Sequence, residues 1–284
     1  MECVGRARVG VANVDSRTEA GTEITKVSMP IKIVVPVSGG KDSQACLKLA
    51  CKEFGTEAVR GLFCDTQFEH PLTYAHVDKL RTLYGDVQID AVSGGSVLEK
   101  TLKYKRFPGG GARHCTEELK MREAKLYYRA LALAQGGFEV WLGMRSGESS
   151  ARAKRYADVT ETDLREPHTV FPNKFPKYLA AMGVMFRLPI LDWTEDDVFD
   201  YLDGEESPLY GFGFPRVGCF PCLASGDKWK EKAFTFDDFG RSQLAKVQLM
   251  ETQIGHSVWK SKTNLEKYPI NEAEDQSGCS ICSI

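Results

Sequence analysis

At 284 residues the chain is long enough for one sizeable core with a smaller appendage, and its 42% hydrophobic and 27% charged residues are the balance of an ordinary globular protein. A formal net charge of −2 argues against a globally basic nucleic-acid binder, although Lys103, Lys105, Arg106 and Arg113 form a local basic cluster. No run approaches the roughly 20 apolar residues of a membrane span, the N-terminus carries Glu2, Arg6, Arg8 and Asp15 in place of an apolar h-region, and nine cysteines, scattered early and paired as CxxC late, suit metal or redox chemistry in a reducing, cytoplasmic setting better than a disulfide framework.

Residues 1–28 mix Gly, Thr, Val and Glu without helical or alternating period and read as an N-terminal extension, with an edge strand over Ala7–Val14 as the alternative. The apolar run Ile31–Val37 then predicts a strand, which ends in Ser38-Gly39-Gly40-Lys41-Asp42-Ser43 and leads into a helix beginning near Asp42. A strand, a glycine turn and a helix N-terminus make an anion site. The glycines let backbone N–H groups approach, the helix end adds partial positive charge, and Lys41 adds a full one. The adjacent glycines exclude a Walker A loop, which separates its first Gly from the Gly-Lys pair by four residues.

The pattern continues with a strand at 58–64, a helix at 71–84, a strand at 87–92, a helix at 117–135, and strands at 138–142 and 184–190. Such alternation predicts an open, mostly parallel α/β sheet with helices on both faces and ligands at the carboxyl ends of its strands. Thr194-Glu195-Asp196-Asp197 is a capped, acidic helix start leading into Val198–Leu202. Residues 207–222 form a long Gly/Pro/Phe-rich loop of the kind compact domains keep for function, 234–254 reads as a helix, and the polar tail from Asn271 ends in Gly-Cys-Ser-Ile-Cys-Ser-Ile. The expected division is 1–28 as extension, 29–205 as a nucleotide-binding unit, and 206–284 as a Cys-bearing loop, helix and tail.

The string Ser38–Ser43 resembles the pyrophosphate-binding loop of the ATP pyrophosphatase (PP-loop) superfamily. Cys64-Asp65-Thr66-Gln67-Phe68-Glu69-His70-Pro71 resembles the Asp-Thr-x-x-Glu-His-Pro element of its phosphoadenosine phosphosulfate (PAPS) reductase family. Arg113, Cys115 and Lys120, the segment Gly143–Lys154, and Pro189–Leu202 resemble further family segments in the family's order, over about 33–222. The resemblance implies an adenine nucleotide alpha hydrolase-like fold. It also implies nucleotide contacts from Ser38, Gly39, Gly40, Lys41, Asp42, Ser43, Asp65, Thr66, Lys120, Gly143, Arg145 and Arg152, with Lys41, Asp42, Asp65 and Arg145 in catalysis and Asp42 or Asp65 holding Mg²⁺ beside ATP. Arg145, Arg152 and Lys120 are chemically suited to phosphate or sulfate oxygens.

Cys115, Cys219 and Cys222 are candidate metal ligands, because thiolates in a loop and at a helix start can converge on a soft metal. Iron–sulfur members of the family carry an adjacent Cys-Cys pair where this chain has His114-Cys115. The fourth ligand stays open among His114, Cys279, Cys282 and an open iron site; a [4Fe-4S] cluster, zinc and metal-free thiols are the three alternatives. Cys279 and Cys282 are also candidates for relaying persulfide sulfur.

The combination is closest to PP-loop sulfurtransferases of the DNA-phosphorothioation type, which implies ATP cleavage to AMP and pyrophosphate coupled to thiolation of an acceptor, a nucleic acid among the acceptors. A cysteine desulfurase or thioredoxin is the implied sulfur or electron donor, and a homodimer is allowed. The alternatives are a thioredoxin-dependent PAPS or adenylyl-sulfate reductase, a protein like the small subunit of sulfate adenylyltransferase, and a catalytically idle nucleotide-sensing subunit. The intact Lys41-Asp42-Ser43 favours true pyrophosphate binding, and the tail lacks the reductases' Glu-Cys-Gly-Leu-His.

Overall fold

The computed structural model describes residues 29–109 and 113–270. The elements run β1 (Ile33–Val37), α1 (Lys41–Phe54), β2 (Val59–Asp65), α2 (Pro71–Leu83), β3 (Gln88–Ser93), α3 (Val97–Tyr104), a π-helical segment (Cys115–Met121) continuing into α4 (Arg122–Gln135), β4 (Phe138–Trp141), α5 (Ser150–Arg155), single turns α6 (Pro167–Val170) and α7 (Tyr178–Ala181), β5 (Val184–Arg187), α8 (Glu195–Leu202), α9 (Asp227–Phe234), α10 (Asp238–Ile254) and α11 (Lys262–Lys267).

The strands form one parallel sheet in the order β3-β2-β1-β4-β5. Alternate residues of β1 serve opposite cores. Ile33, Val35 and Val37 pack with Leu47, Leu80 and Val198 of α1, α2 and α8, whereas Val34 packs with Tyr128, Val140 and Phe186 on the α4 side. Burial on both faces is why the strand reads as a continuous apolar run. The chain leaves β1 in one direction along the sheet and returns through β4 on its other side, so a crevice opens at the carboxyl ends of β1 and β4.

The predicted α/β architecture is present, with four differences of detail. The strand expected at 184–190 stops at Arg187, and Leu188, Ile190 and Leu191 continue as a buried turn. The helix expected at 234–254 starts later, at Asp238, because Phe234 closes α9: Asp237 caps α10 by accepting from Gly240 N at 2.8 Å, and Gly240 backs so closely on α9 that a Cβ would lie 2.1 Å from the Ala233 carbonyl oxygen. The helix expected over 117–135 opens at Cys115, the helix start expected for that thiol, but as a π-helical segment, and α3 occupies a stretch to which no element was assigned. Calls on residues 1–28 and on Cys279 and Cys282 lie outside the described residues. Among the described residues, no helix is long and apolar enough to cross a membrane.

The C-terminal helices pack onto the sheet unit through Phe234, Val247, Val258 and Trp259, which meet Phe68, Val97 and Leu119. His70 makes a second link. Its Nδ1 accepts from Leu72 N at 3.0 Å and so caps α2, which leaves the proton on Nε2, 2.9 Å from Asp237 Oδ2 at the start of α10. The ring is 3% exposed and sits edge-on to Phe220 and Phe239.

Candidate active site

The loop from Ser38 to Ser43 lies at the β1–β4 crevice and holds its shape through its own hydroxyls. Ser38 N donates to Ser43 Oγ at 3.1 Å, and Ser43 Oγ donates to Gly40 O at 2.9 Å. Gly39 has φ +76° and a Cβ there would lie 2.8 Å from Thr73 Cγ2, so a side chain there would be strained in backbone and crowd Thr73. Gly143, just past β4, is equally constrained: a Cβ would come within 2.7 Å of the Asp42 carbonyl, which sets how closely the β4 loop approaches the N-terminus of α1.

Between these loops is a cavity of about 470 Å³ lined by Ser38, Gly40, Lys41 and Asp42, by Gly143, Arg145, Ser149 and Arg152, and by Glu195, Tyr210 and Arg216. Five cationic side chains, Lys41, Arg113, Arg145, Arg152 and Arg216, face three carboxylates, Asp42, Glu148 and Glu195. In a chain of net charge −2 this local surplus, added to the N-terminal end of α1, makes the cavity suited to an anion. Lys41 is 3% exposed, and its Nζ lies 3.1 Å from both Asp42 Oδ2 and Glu195 Oε1. Arg145 Nε donates to Asp42 Oδ1 at 2.5 Å, and Arg152 pairs with Glu148. Burial lowers the pKa of Arg152, and repulsion from Arg216 adds to it; both favour an incoming anion.

A second, largely apolar slot of about 240 Å³ adjoins at Ser38, walled by Val37, Leu62, Phe63, Tyr128, Leu142 and Phe175. It suits a flat heterocycle. A third cavity, of about 330 Å³, carries Cys115, Cys219 and Cys222 with Lys120. It shares Arg113 and Arg216 with the phosphate cavity, and Thr116, Lys120 and Gly218 with the apolar slot. Cation, apolar and thiol subsites are therefore continuous.

Several predicted nucleotide residues lie elsewhere. Asp65 is at the tip of β2 but off the phosphate cavity, because its carboxylate accepts from Tyr74 OH at 2.7 Å and Gln67 N at 2.8 Å. Thr66 is fully buried, its hydroxyl donating to Glu69 Oε1 at 2.6 Å and lying 3.2 Å from Cys219 Sγ. Lys120 belongs to the thiol and apolar cavities, where the Cys219 sulfur most of all holds its pKa up against burial. Gly39 and Ser43 shape the loop from behind its lining surface. Glu195, Tyr210 and Arg216 were missed as site residues; each is brought to the loop by a distant segment.

The three candidate metal ligands do share one cavity, and a set of thiols suits a thiophilic metal. Their arrangement does not close a site: among the described residues, no group of three or more His, Cys, Asp or Glu side chains is placed to hold an ion. Cys219 points toward Thr66 and Glu69, and burial, opposed by Lys120, pushes its thiol up to about 11. His114 does not supply a fourth ligand here. Its ring stacks on Tyr104 at 5.0 Å, away from the thiol cavity, and neither buried nitrogen has a hydrogen-bond partner among the described residues.

The family model for the phosphoadenosine phosphosulfate reductase domain matches residues 32–225, which takes in the loop, the β4 segment and the CxxC. The chain belongs to the PAPS reductase family, within the PP-loop superfamily. An adenosine 5'-phosphosulfate reductase of Neisseria meningitidis serogroup A is 30% identical over 171 residues, covering 57% of this chain and 61% of that protein. An uncharacterised protein of Methanocaldococcus jannaschii is 30% identical over 229 residues, 77% of this chain and 42% of that protein. The chain thus spans less than two thirds of either relative's length. A solved PAPS reductase of Candida auris in a phosphate complex is similar at a TM-score of 0.43, with 18% identity over 67% of this chain and 82% of that one.

Proposed function

We propose that this PAPS reductase-family protein binds ATP, cleaves it between the α and β phosphates, and couples the cleavage to sulfur transfer onto an acceptor. Lys41 carries the assignment: a buried ammonium at the N-terminus of α1, inside a cavity where cations outnumber carboxylates, is suited to a leaving pyrophosphate. The apolar slot takes the base, and Arg145 and Arg152 take the α-phosphate. Asp42 and Glu195 are the carboxylates that would hold the Mg²⁺ accompanying ATP, which would neutralise phosphate charge.

In the first step an acceptor oxygen attacks the α-phosphorus and the bond to the bridging oxygen breaks. Pyrophosphate leaves with the electron pair while the acceptor becomes an AMP ester. A reduced sulfur nucleophile then displaces AMP. Lys41 and Arg145 act by stabilising charge that develops on phosphate oxygens, and no side chain of this chain attacks ATP. The acceptor, a nucleic acid in the version this family resemblance favours, enters from the thiol cavity, where Arg113 and Arg216 have no carboxylate partner among the described ion pairs.

The second reading is an adenylyl-sulfate reductase, favoured by the neisserial relative and by the continuity of thiol and phosphate cavities. There a thiolate attacks the sulfate sulfur, AMP leaves, and a dithiol reductant such as thioredoxin releases sulfite. Parallel assays separate the two: AMP and pyrophosphate from Mg-ATP with nucleic-acid acceptors support the first reading, and sulfite from adenylyl-sulfate with thioredoxin supports the second.

A further inference from the structure

We propose that Tyr210 is a latch: a phosphate group on the Ser38–Ser43 loop displaces its hydroxyl and thereby loosens the loop that carries Cys219 and Cys222. The inference rests on that loop holding pyrophosphate.

Lys41 N–H, the first amide of α1, donates to Tyr210 OH at 3.0 Å across 169 residues of sequence. This is the donor an anion at a helix N-terminus uses, and one N–H serves one strong acceptor at a time. The Lys41 ammonium is held likewise by protein oxygens, Asp42 and Glu195 at 3.1 Å each, and the Glu195 side chain is 58% exposed and free to swing away. Three oxygens of this chain thus occupy the hydrogen-bonding directions that phosphate oxygens require. Tyr210 is fixed in place by Phe199, edge-on at 5.5 Å, with the Lys41 ammonium 5.6 Å and 5.7 Å from the two ring centres.

The contact reaches the thiols through the loop itself. Gly213 N donates to Tyr210 O at 2.8 Å and Phe214 N to Leu209 O at 3.2 Å, so the segment around Tyr210 is a compact turn. Phe214 packs against Phe220 at 5.0 Å, next to Cys219, and Phe220 N donates to Phe68 O at 2.6 Å. Val217, between them, faces the glycines: its carbonyl lies 3.3 Å from where a Gly40 Cβ would stand. Tyr210, Val217 and Phe220 therefore pin one loop to the phosphate loop and to β2's exit, and release of Tyr210 removes the first pin.

The test uses inorganic pyrophosphate with the full chain, titrated by calorimetry, and hydrogen exchange of amides 208–218. Tyr210→Phe keeps the ring and removes the acceptor, so it should bind pyrophosphate about three- to tenfold more tightly, the equivalent of one net hydrogen bond. In the wild type, pyrophosphate should speed exchange across 208–218 by a similar three- to tenfold factor while slowing it over 38–43, and Tyr210→Phe should show the fast 208–218 exchange without ligand. The exchange arm needs no variant. Weaker binding by Tyr210→Phe, or protection of 208–218 on adding pyrophosphate, overturns the latch while leaving the nucleotide assignment standing. Absence of binding heat in both proteins overturns the two together.

Discussion

At the scale of single residues, the proposed chemistry centres on Lys41. Its charge is held at the α1 N-terminus by Asp42 and Glu195, and Arg145 takes the other oxygen of Asp42, so the four side chains form one connected set. Replacing Lys41 with Ala should lower pyrophosphate release from ATP by about 10²- to 10³-fold, the usual loss when one charge-stabilising donor is removed. Circular dichroism should stay unchanged, since Arg145 still neutralises Asp42. Lys41 was legible in the sequence because strand, glycines and helix are consecutive. Asp65 was read as a ligand because strand ends point at ligands, but the pattern carries no trace of Tyr74, whose hydroxyl engages it from α2. Tyr210 and Arg216 had only the irregularity of 207–222 to signal them.

At the scale of elements, the Glu69-His70-Pro71 string is as much joint as site. Glu69 gathers Thr66 and Phe68 N, Pro71 opens α2, and His70 caps α2 while bonding the cap residue of α10. His70→Ala loses a cap, a hydrogen bond and an aromatic contact and should cost about 2–4 kcal/mol in urea unfolding; His70→Asn should recover about 1 kcal/mol by restoring the cap.

A second joint ties α1 to α2. Gln44, fully buried, accepts from His76 Nε2 at 2.8 Å and donates to Tyr84 OH at 2.9 Å. Burial first, and Lys79 next, lower the pKa of His76 from 6.5 to about 4. The folded state therefore holds this ring neutral where the unfolded chain binds a proton, so the contribution is complete above pH 6.5 and is lost as pH falls toward about 4. The loss is on the order of 2–3 kcal/mol, and His76→Gln should flatten the stability profile over that window in urea titrations. Of the elements missed, α3 was within reach: Ser96 and Glu99 form a capping box. The break between α9 and α10 was less so, because Gly240 is required by contact with Ala233 and not by any local turn pattern.

At the scale of the molecule, parallel topology does the assembling. β1 delivers the phosphate loop, β4 delivers Gly143 and Arg145, and the segments after α8 and before α4 close over them with thiols and arginines. Sequence order made the parallel sheet predictable, but not the strand order with its switch of direction between β1 and β4. It did not show that phosphate, apolar and thiol cavities would share walls, since that depends on how 113–121 and 207–222 fold across the same sheet edge. Under the proposed function, the shared walls would put nucleotide cleavage and sulfur chemistry side by side.

In the proposed function the phosphate loop works on ATP. Its most direct measurement follows pyrophosphate from Mg-ATP, with nucleic-acid acceptors and a sulfur donor, beside sulfite from adenylyl-sulfate with thioredoxin, for the wild type and Lys41→Ala. Pyrophosphate from the wild type, its loss in Lys41→Ala, and no sulfite are expected. Sulfite without pyrophosphate would contradict that function.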